Sequence, residues 1–305
     1  MNTNCLSKNL VIPAIVISLL FSLGCQKAES PNVHFEAEVH YAEISDATIA
    51  YKVMGRGEPL VLCMGYANNM DMWSDTALEM LEKHYKVIVF DYRGMGYSST
   101  TDTSLSIKRM AVDIQELLNV LKINKTHVLG WSMGGYVAQE FALNYPEMVD
   151  KLILYATNPG DTITINPNDE IIAILSNPAS TPYEFLSTLF PDEWLATHPE
   201  PWLVMPEGKE PINGQAIGLQ YEAIQAWLSP GGGSSGRLHQ LAMPVLLLCG
   251  NQDKVVPAMN SKILADSIQT ASLLMLNGTG HGLQYQQPEV FANFVLAFLE
   301  GKSFD

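Results

Sequence analysis

The chain has 305 residues, of which 47% are hydrophobic and 16% charged, enough to bury a sizeable core and too apolar for extensive disorder. Thirty-two Asp and Glu against seventeen Lys and Arg leave a formal charge of -15, a field that repels nucleic acid and sets DNA and RNA binding aside. The length fits one α/β core carrying an inserted subdomain.

After Lys8 the chain reads LVIPAIVISLLFSLGC, an apolar run of signal-peptide length that is short for a membrane span. The run ends at Cys25, and FSLGCQ resembles the lipobox of bacterial lipoproteins, in which the cysteine is acylated and becomes the new N-terminus. Ser22 stands where such boxes usually carry Leu, and Gln26 is not the Asp associated with retention in the inner membrane. The expectation is a lipoprotein signal over 1–24, lipidation at Cys25 and a tether over 25–34. That implies an exported protein anchored to the membrane on the periplasmic or cell-surface side; a plain secretory signal or N-terminal anchor is the alternative.

From residue 35 onward β-rich runs alternate with helical ones, the pattern of a mostly parallel sheet covered by helices. FEAEVHYAEI and TIAYKVMG alternate faces around a turn at Asp46 and predict an antiparallel pair. PLVLCMG, YKVIVFDYRG, THVLGWS and DKLILYAT follow as continuous apolar strands of the kind buried on both sides. Helices are expected over about 104–121 and 133–145, the second stopped by Pro146. From 161 to 236 the alternation breaks down into Pro, aromatics and acids, and PGGGSSG reads as a flexible exit hinge. Strands resume with PVLLLCGNQD and ASLLMLNGTGH, with helices over about 258–268 and 288–299. The organisation expected is a core of 35–160 plus 237–305 with an insertion over 161–236. Cys63 and Cys249 fall on separate strands several strand spacings apart, too far for a disulfide, and are expected as buried free thiols.

Gly130-Trp131-Ser132-Met133-Gly134 matches G-x-S-x-G, a pattern that arises by chance in roughly one chain in ten of this length. Its context is more specific, because it closes a strand and opens a helix, as a nucleophile elbow does. A serine held there in a strained turn presents its hydroxyl at the carboxyl edge of the sheet, beside a helix N-terminus that favours negative charge. A hydroxyl needs a base to take its proton and a carboxylate to orient that base. Of the seven histidines, His281 lies in a glycine-flanked loop beyond the carboxyl end of a strand. Asp253 follows another strand end, and the order Ser132, Asp253, His281 is that of one particular serine-hydrolase fold. Asp161 is the rival acid, placed second because it opens the insertion. Two main-chain donors complete the arrangement: the N–H of Met133, and the N–H of Tyr66 in the loop after PLVLC.

These residues resemble the α/β-hydrolase family over nearly the whole of 40–300. LVLCMGYANNMDMW is similar to its oxyanion loop, VIVFDYRGMGYS to its D-x-R-G-x-G-x-S turn, LGWSMGG to its elbow, CGNQDKVVP to its acid loop and GTGHG to its histidine loop. Met64 stands where members commonly have His before the oxyanion Gly, and Asp91 and Arg93 of the turn motif are read as structural. The resemblance implies an eight-stranded, mostly parallel sheet flanked by helices, with the insertion as a helical cap.

A serine at 132 points to an acyl-enzyme; an Asp there would have suggested dehalogenation or epoxide opening. Tyr183, Phe185, Phe190, Trp194, Trp202, Tyr221 and Trp227 in the insertion fit either an apolar pocket or the insertion's own core. Ten acids and a single base, Lys209, lie between 161 and 236, a roof that disfavours anionic substrates or simply a solvated acidic face. The expected function is a serine hydrolase of a small or medium neutral ester or lactone. Amide or aminopeptidase cleavage, cofactor-free perhydrolysis, and a non-catalytic ligand-binding protein are the alternatives. No His pair at helical spacing, CxxC or nucleotide loop is present, so no metal or cofactor is implied, and the sequence carries no signal of oligomeric state.

Overall fold

The computed structural model describes residues 37–100, 104–177, 179–206, 208–210 and 213–302. The expected signal, the tether and Cys25 lie outside the described residues.

Strands β1 (His40–Glu43), β2 (Thr48–Met54), β3 (Pro59–Cys63), β4 (Lys86–Phe90), β5 (Thr126–Trp131), β6 (Val149–Tyr155), β7 (Val245–Gly250) and β8 (Ala271–Leu276) form one eight-stranded sheet. The strand order is β1-β2-β4-β3-β5-β6-β7-β8. Only β2 runs against its neighbours, pairing antiparallel with β1 and β4, while the pairs from β4 through β8 are parallel. β5 and β7 are buried along their full length, as a parallel strand covered on both faces must be. β8, at the edge, is half-exposed.

The helices are α1 (Asp75–Leu81), α2 (Ile107–Val120), α3 (Met133–Asn144), α4 (Asp169–Ser176), α5 (Pro182–Ser187), α6 (Asp192–Thr197), α7 (Gly214–Leu228), α8 (Met259–Ser267), α9 (Leu283–Gln286) and α10 (Pro288–Leu299). α2 starts later than the sequence pattern suggests because Ser106 caps it, accepting the N–H of Arg109 at 3.0 Å. α1 was not anticipated: two turns with Ala77, Leu78 and Leu81 buried are too short to show a helical period. α10 begins on Pro288 at its first turn, where proline's missing N–H costs nothing.

α4 to α7 all fall between β6 and β7. The hinge read as flexible is instead a hydrogen-bonded clasp. Ser234 donates its N–H to Pro159 O at 2.8 Å and its hydroxyl to the buried Gln139 Oε1 at 2.6 Å. Asp161 accepts the N–H of Gly231 at 3.2 Å and the hydroxyl of Ser235 at 3.1 Å. Glycine-rich composition signalled flexibility, but here it lets two chain segments approach closely enough to bond.

Cys63 and Cys249 are buried and free. Their strands stand three steps apart in the sheet, roughly 14 Å at the usual strand spacing. Burial pushes the Cys249 thiol up to about 11, keeping it protonated and unreactive.

Candidate active site

Ser132 sits between β5 and α3 with φ 56° and ψ -121°, a region that L-residues avoid. The strain is held from both sides: Ser132 N–H donates to Tyr155 O of β6 at 2.9 Å, and Thr157 Oγ1 donates to Ser132 O at 2.8 Å. Close packing explains the glycine after it, since a Cβ on Gly134 would overlap the carbonyl oxygens of Cys63 and Met64. The side chain of Ser132 is half-exposed. Met133 is the first residue of α3, so its N–H belongs to the helix donors that no intrahelical carbonyl can reach.

His281 Nδ1 lies 2.8 Å from Asp253 Oδ2. The other oxygen of Asp253, Oδ1, accepts the N–H groups of Val255 and Val256 at 2.9 and 2.8 Å, so both oxygens of this buried carboxylate are satisfied. His281 leaves the sheet from β8, three strands from β5, yet the loop returns it to the elbow. Its ring centroid is 5.5 Å from that of Trp131, the residue before Ser132. Trp131 Nε1 and Tyr155 OH both donate to His281 O, at 3.2 and 2.6 Å. In the sequence Trp131 stands only as a variable position of the pentapeptide and Tyr155 only as a strand position, and neither points to this anchoring.

The loop after β3 meets the same place. A Cβ on Gly65 would stand 3.5 Å from Cβ of Ser132, so Tyr66 follows directly on the backbone that faces the serine. Tyr66 is half-buried, and burial raises its phenol well above the ordinary tyrosine range, helped by the nearby Tyr221. Met64, where the family commonly has His, is buried in the core.

The turn motif acts on the frame around the site. Asp91 accepts the N–H of Met70 at 2.6 Å and of Tyr97 at 2.8 Å, and burial pushes its carboxyl up to about 7 against those two donors. Arg93 is buried and forms a two-pronged pair with Asp113 at 2.7 and 2.6 Å, reaching Asp46 at 2.9 Å. It ties the β1–β2 turn to α2. Asp161 bonds the clasp and contributes nothing to His281 Nδ1, which Asp253 holds.

Among the insertion's aromatics, Phe190 and Trp227 are buried, whereas Tyr183 and Trp202 are exposed. Phe190 stacks on Trp194 with centroids 4.4 Å apart and lies over Gly282, beside His281. The preceding Leu189 accepts the N–H of Gly282 at 2.9 Å. Gln220 of α7, which sequence reasoning missed, accepts the N–H of Ala67 at 3.0 Å. Its signal was a glutamine at helical spacing within an otherwise apolar stripe.

A family model described as "alpha/beta hydrolase fold" matches residues 58–288. RutD of Azorhizobium caulinodans, which bears the name of a carbamate hydrolase, is 28% identical over 263 residues, 85% of this chain and 97% of its own. A poly(3-hydroxyalkanoate) depolymerase of Ectopseudomonas oleovorans is 27% identical over 247 residues, covering 79% of this chain and 84% of its own. Among solved structures, an alpha/beta hydrolase fold protein from Chitinophaga pinensis superposes with a TM-score of 0.75 at 28% identity, over 87% of this chain and 98% of that one. An enol-lactonase from Burkholderia xenovorans shares the fold at 19% identity, with a TM-score of 0.72 over 86% of this chain and all (100%) of that one. With the eight-stranded sheet, the elbow and the matched model together, the chain belongs to the hydrolases of the alpha/beta hydrolase fold family.

Proposed function

We propose that the protein is a serine hydrolase of small or medium, neutral carboxylic esters or lactones, acting through an acyl-enzyme. The observation that carries the reading is the 2.8 Å bond between His281 Nδ1 and Asp253 Oδ2, beside a serine held in a strained elbow. Asp253 keeps the proton of His281 on Nδ1, which leaves Nε2 as an acceptor for the Ser132 proton. Ser132 Oγ attacks the substrate carbonyl as that proton moves to Nε2, and the tetrahedral oxyanion takes the N–H groups of Tyr66 and Met133. His281 returns the proton to the departing alcohol, and water repeats the sequence to release the acid. In a lactone the alcohol stays attached to the product.

The segment between β6 and β7 acts in this reading as a cap over the site. Its excess of acids favours neutral over anionic substrates. The relatives named for carbamate hydrolysis and poly(3-hydroxyalkanoate) depolymerisation fit the same acyl-transfer chemistry, and both substrate types belong in the screen. Cys25 is the acylated residue of an exported lipoprotein. Incorporation of labelled palmitate in the wild-type chain and its loss in Cys25→Ala tests that part separately.

The function is tested with a fluorophosphonate probe on chains that start after residue 34, followed by p-nitrophenyl esters, a lactone, a carbamate and an anilide. Labelling at Ser132, and its loss together with turnover in Ser132→Ala and His281→Ala, supports the reading. A folded wild-type protein that neither labels nor turns over any of these substrates removes it.

A further inference from the structure

α7 lays one face on the core, with Ala216, Gln220, Ala223 and Trp227 buried at intervals of three and four residues. Gln220 is the polar member of that stripe and is fully buried. Its Oε1 accepts the main-chain N–H of Ala67 at 3.0 Å. Because a donor sits there, the oxygen side of the amide is fixed and Nε2 faces away. Nε2 has no hydrogen-bond partner among the described residues. A residue kept for packing alone has no reason to bury an unpaired donor in an apolar stripe, where Met of the same length fits without one.

The partner of Gln220 is equally unusual. Ala67 has φ 57°, a left-handed conformation that a residue with a Cβ holds only when its neighbours impose it. The peptide between Tyr66 and Ala67 is gripped at both ends. Its N–H goes to Gln220, and its carbonyl, Tyr66 O, accepts Asn68 Nδ2 at 2.9 Å. Fixing that plane limits the rotation of Tyr66, whose own N–H is the second oxyanion donor of the reading above. The insertion touches the same loop further along, where Lys209 N–H donates to Asp71 Oδ2 at 3.3 Å and Asn69 Nδ2 to Glu210 O at 3.4 Å.

We propose that Gln220 is a positioning residue for the oxyanion loop, so that docking of α7 sets the orientation of the Tyr66 N–H. The inference rests on the serine-hydrolase reading and adds to it. The cap then does more than roof the pocket, because the oxyanion hole is complete only while α7 lies on the core.

The test compares Gln220→Met, which removes the acceptor at constant length, with Gln220→Glu, whose carboxyl stays protonated when buried and keeps an oxygen for Ala67. Active sites are counted by fluorophosphonate, and kcat, KM, Tm and affinity for an alkylboronic acid, a mimic of the tetrahedral adduct, are measured. The expected result for Gln220→Met is a Tm close to wild type, kcat reduced about 10- to 100-fold, KM nearly unchanged, and boronate affinity reduced in step with kcat/KM. Gln220→Glu recovers most of kcat. A Gln220→Met protein that does not fold, or folds with wild-type kcat per active site, overturns the proposal, as does equal loss in both variants. A wild-type chain that neither labels nor turns over ester removes the serine reading itself; normal labelling and turnover with an insensitive Gln220 removes only this inference.

Discussion

Asp253 Oδ2 and His281 Nδ1 lie 2.8 Å apart, across loops that leave two neighbouring strands at the same edge of the sheet. Asn at 253 preserves the shape and reverses the chemistry. Its oxygen can still accept the N–H groups of Val255 and Val256, which turns its amide N–H toward His281 and forces the imidazole proton onto Nε2. In the proposed mechanism, a base that already carries a proton there cannot take one from Ser132. Asp253→Asn is expected to lower kcat by about 10³- to 10⁴-fold with Tm close to wild type, measured by ester turnover and thermal denaturation. A loss of less than tenfold would mean that this bond does not serve catalysis.

The elbow stores strain that can be released. Ser132 at φ 56° and ψ -121° occupies backbone space natural to glycine, and such strain costs about 1–3 kcal/mol. Ser132→Gly relieves it, partly offset by the greater freedom of glycine in the unfolded chain, about 0.5–1 kcal/mol. Net stabilisation of about 1 kcal/mol, read as a Tm rise of a few degrees, is expected alongside complete loss of probe labelling. Ser132→Ala, which keeps the Cβ and the strain, loses labelling without the rise. Equal melting temperatures in the two variants would argue that the turn is unstrained.

The sheet is legible in the sequence, as is the chain order of the candidate site residues, because both depend on local signals. The parallel strands show as short apolar runs bounded by turns, and G-x-S-x-G can be read at the junction of one such run with a helix. What brings the residues together was less visible. His281 reaches the elbow through bonds from Trp131 and Tyr155 to its carbonyl, contacts between positions at least 126 residues apart in the chain, and no periodicity encodes them. The bonds that tie PGGGSSG to Asp161 and Gln139 are not legible in that stretch, because glycine composition speaks of backbone freedom and not of what the freed backbone bonds to. Gln220 was missed because helix α7 lies where strand and helix patterns are interrupted, and a single polar residue on a buried face draws notice only once the face is known. The short α1 carried too few turns for a pattern.

The contact between the insertion and the histidine loop should be felt in catalysis. A Cβ on Gly282 would stand 2.9 Å from the ring of Phe190, which is buried and stacked on Trp194. Gly282→Ala must push the ring or shift the loop that carries His281. Since misplacing a reacting group by about 1 Å can cost 10²-fold, a fall in kcat/KM of about tenfold is expected. Phe190→Leu removes the obstructing ring edge, so the double variant should regain part of the loss. A double-mutant cycle on kcat/KM checks this; simple additivity would show that the two positions do not interact.

His127 gives the protein a predictable response to acid. The ring is buried on β5 against Tyr85, centroids 5.6 Å apart, with Glu58 Oε2 at 3.3 Å from Nε2 and Asp150 Oδ2 at 3.5 Å from Nδ1. Burial lowers the pKa below the ordinary 6.5; Glu58 and Asp150 pull the other way, and Lys151 adds to the lowering. Burial prevails because the ring is only 2% exposed while Glu58 stands largely in water. The unfolded chain therefore takes up a proton near pH 6.5 while the folded chain stays neutral. The stability contributed is fully present above 6.5 and is lost as the pH falls from there through the lower folded-state value, by about 1.4 kcal/mol for each unit of depression. Urea denaturation of wild type and His127→Phe, which keeps an aromatic ring against Tyr85, should show the wild-type curve falling more steeply between pH 6.5 and 5. If the two curves run parallel across that window, or the variant's falls faster, burial does not dominate at His127 and the two carboxylates do.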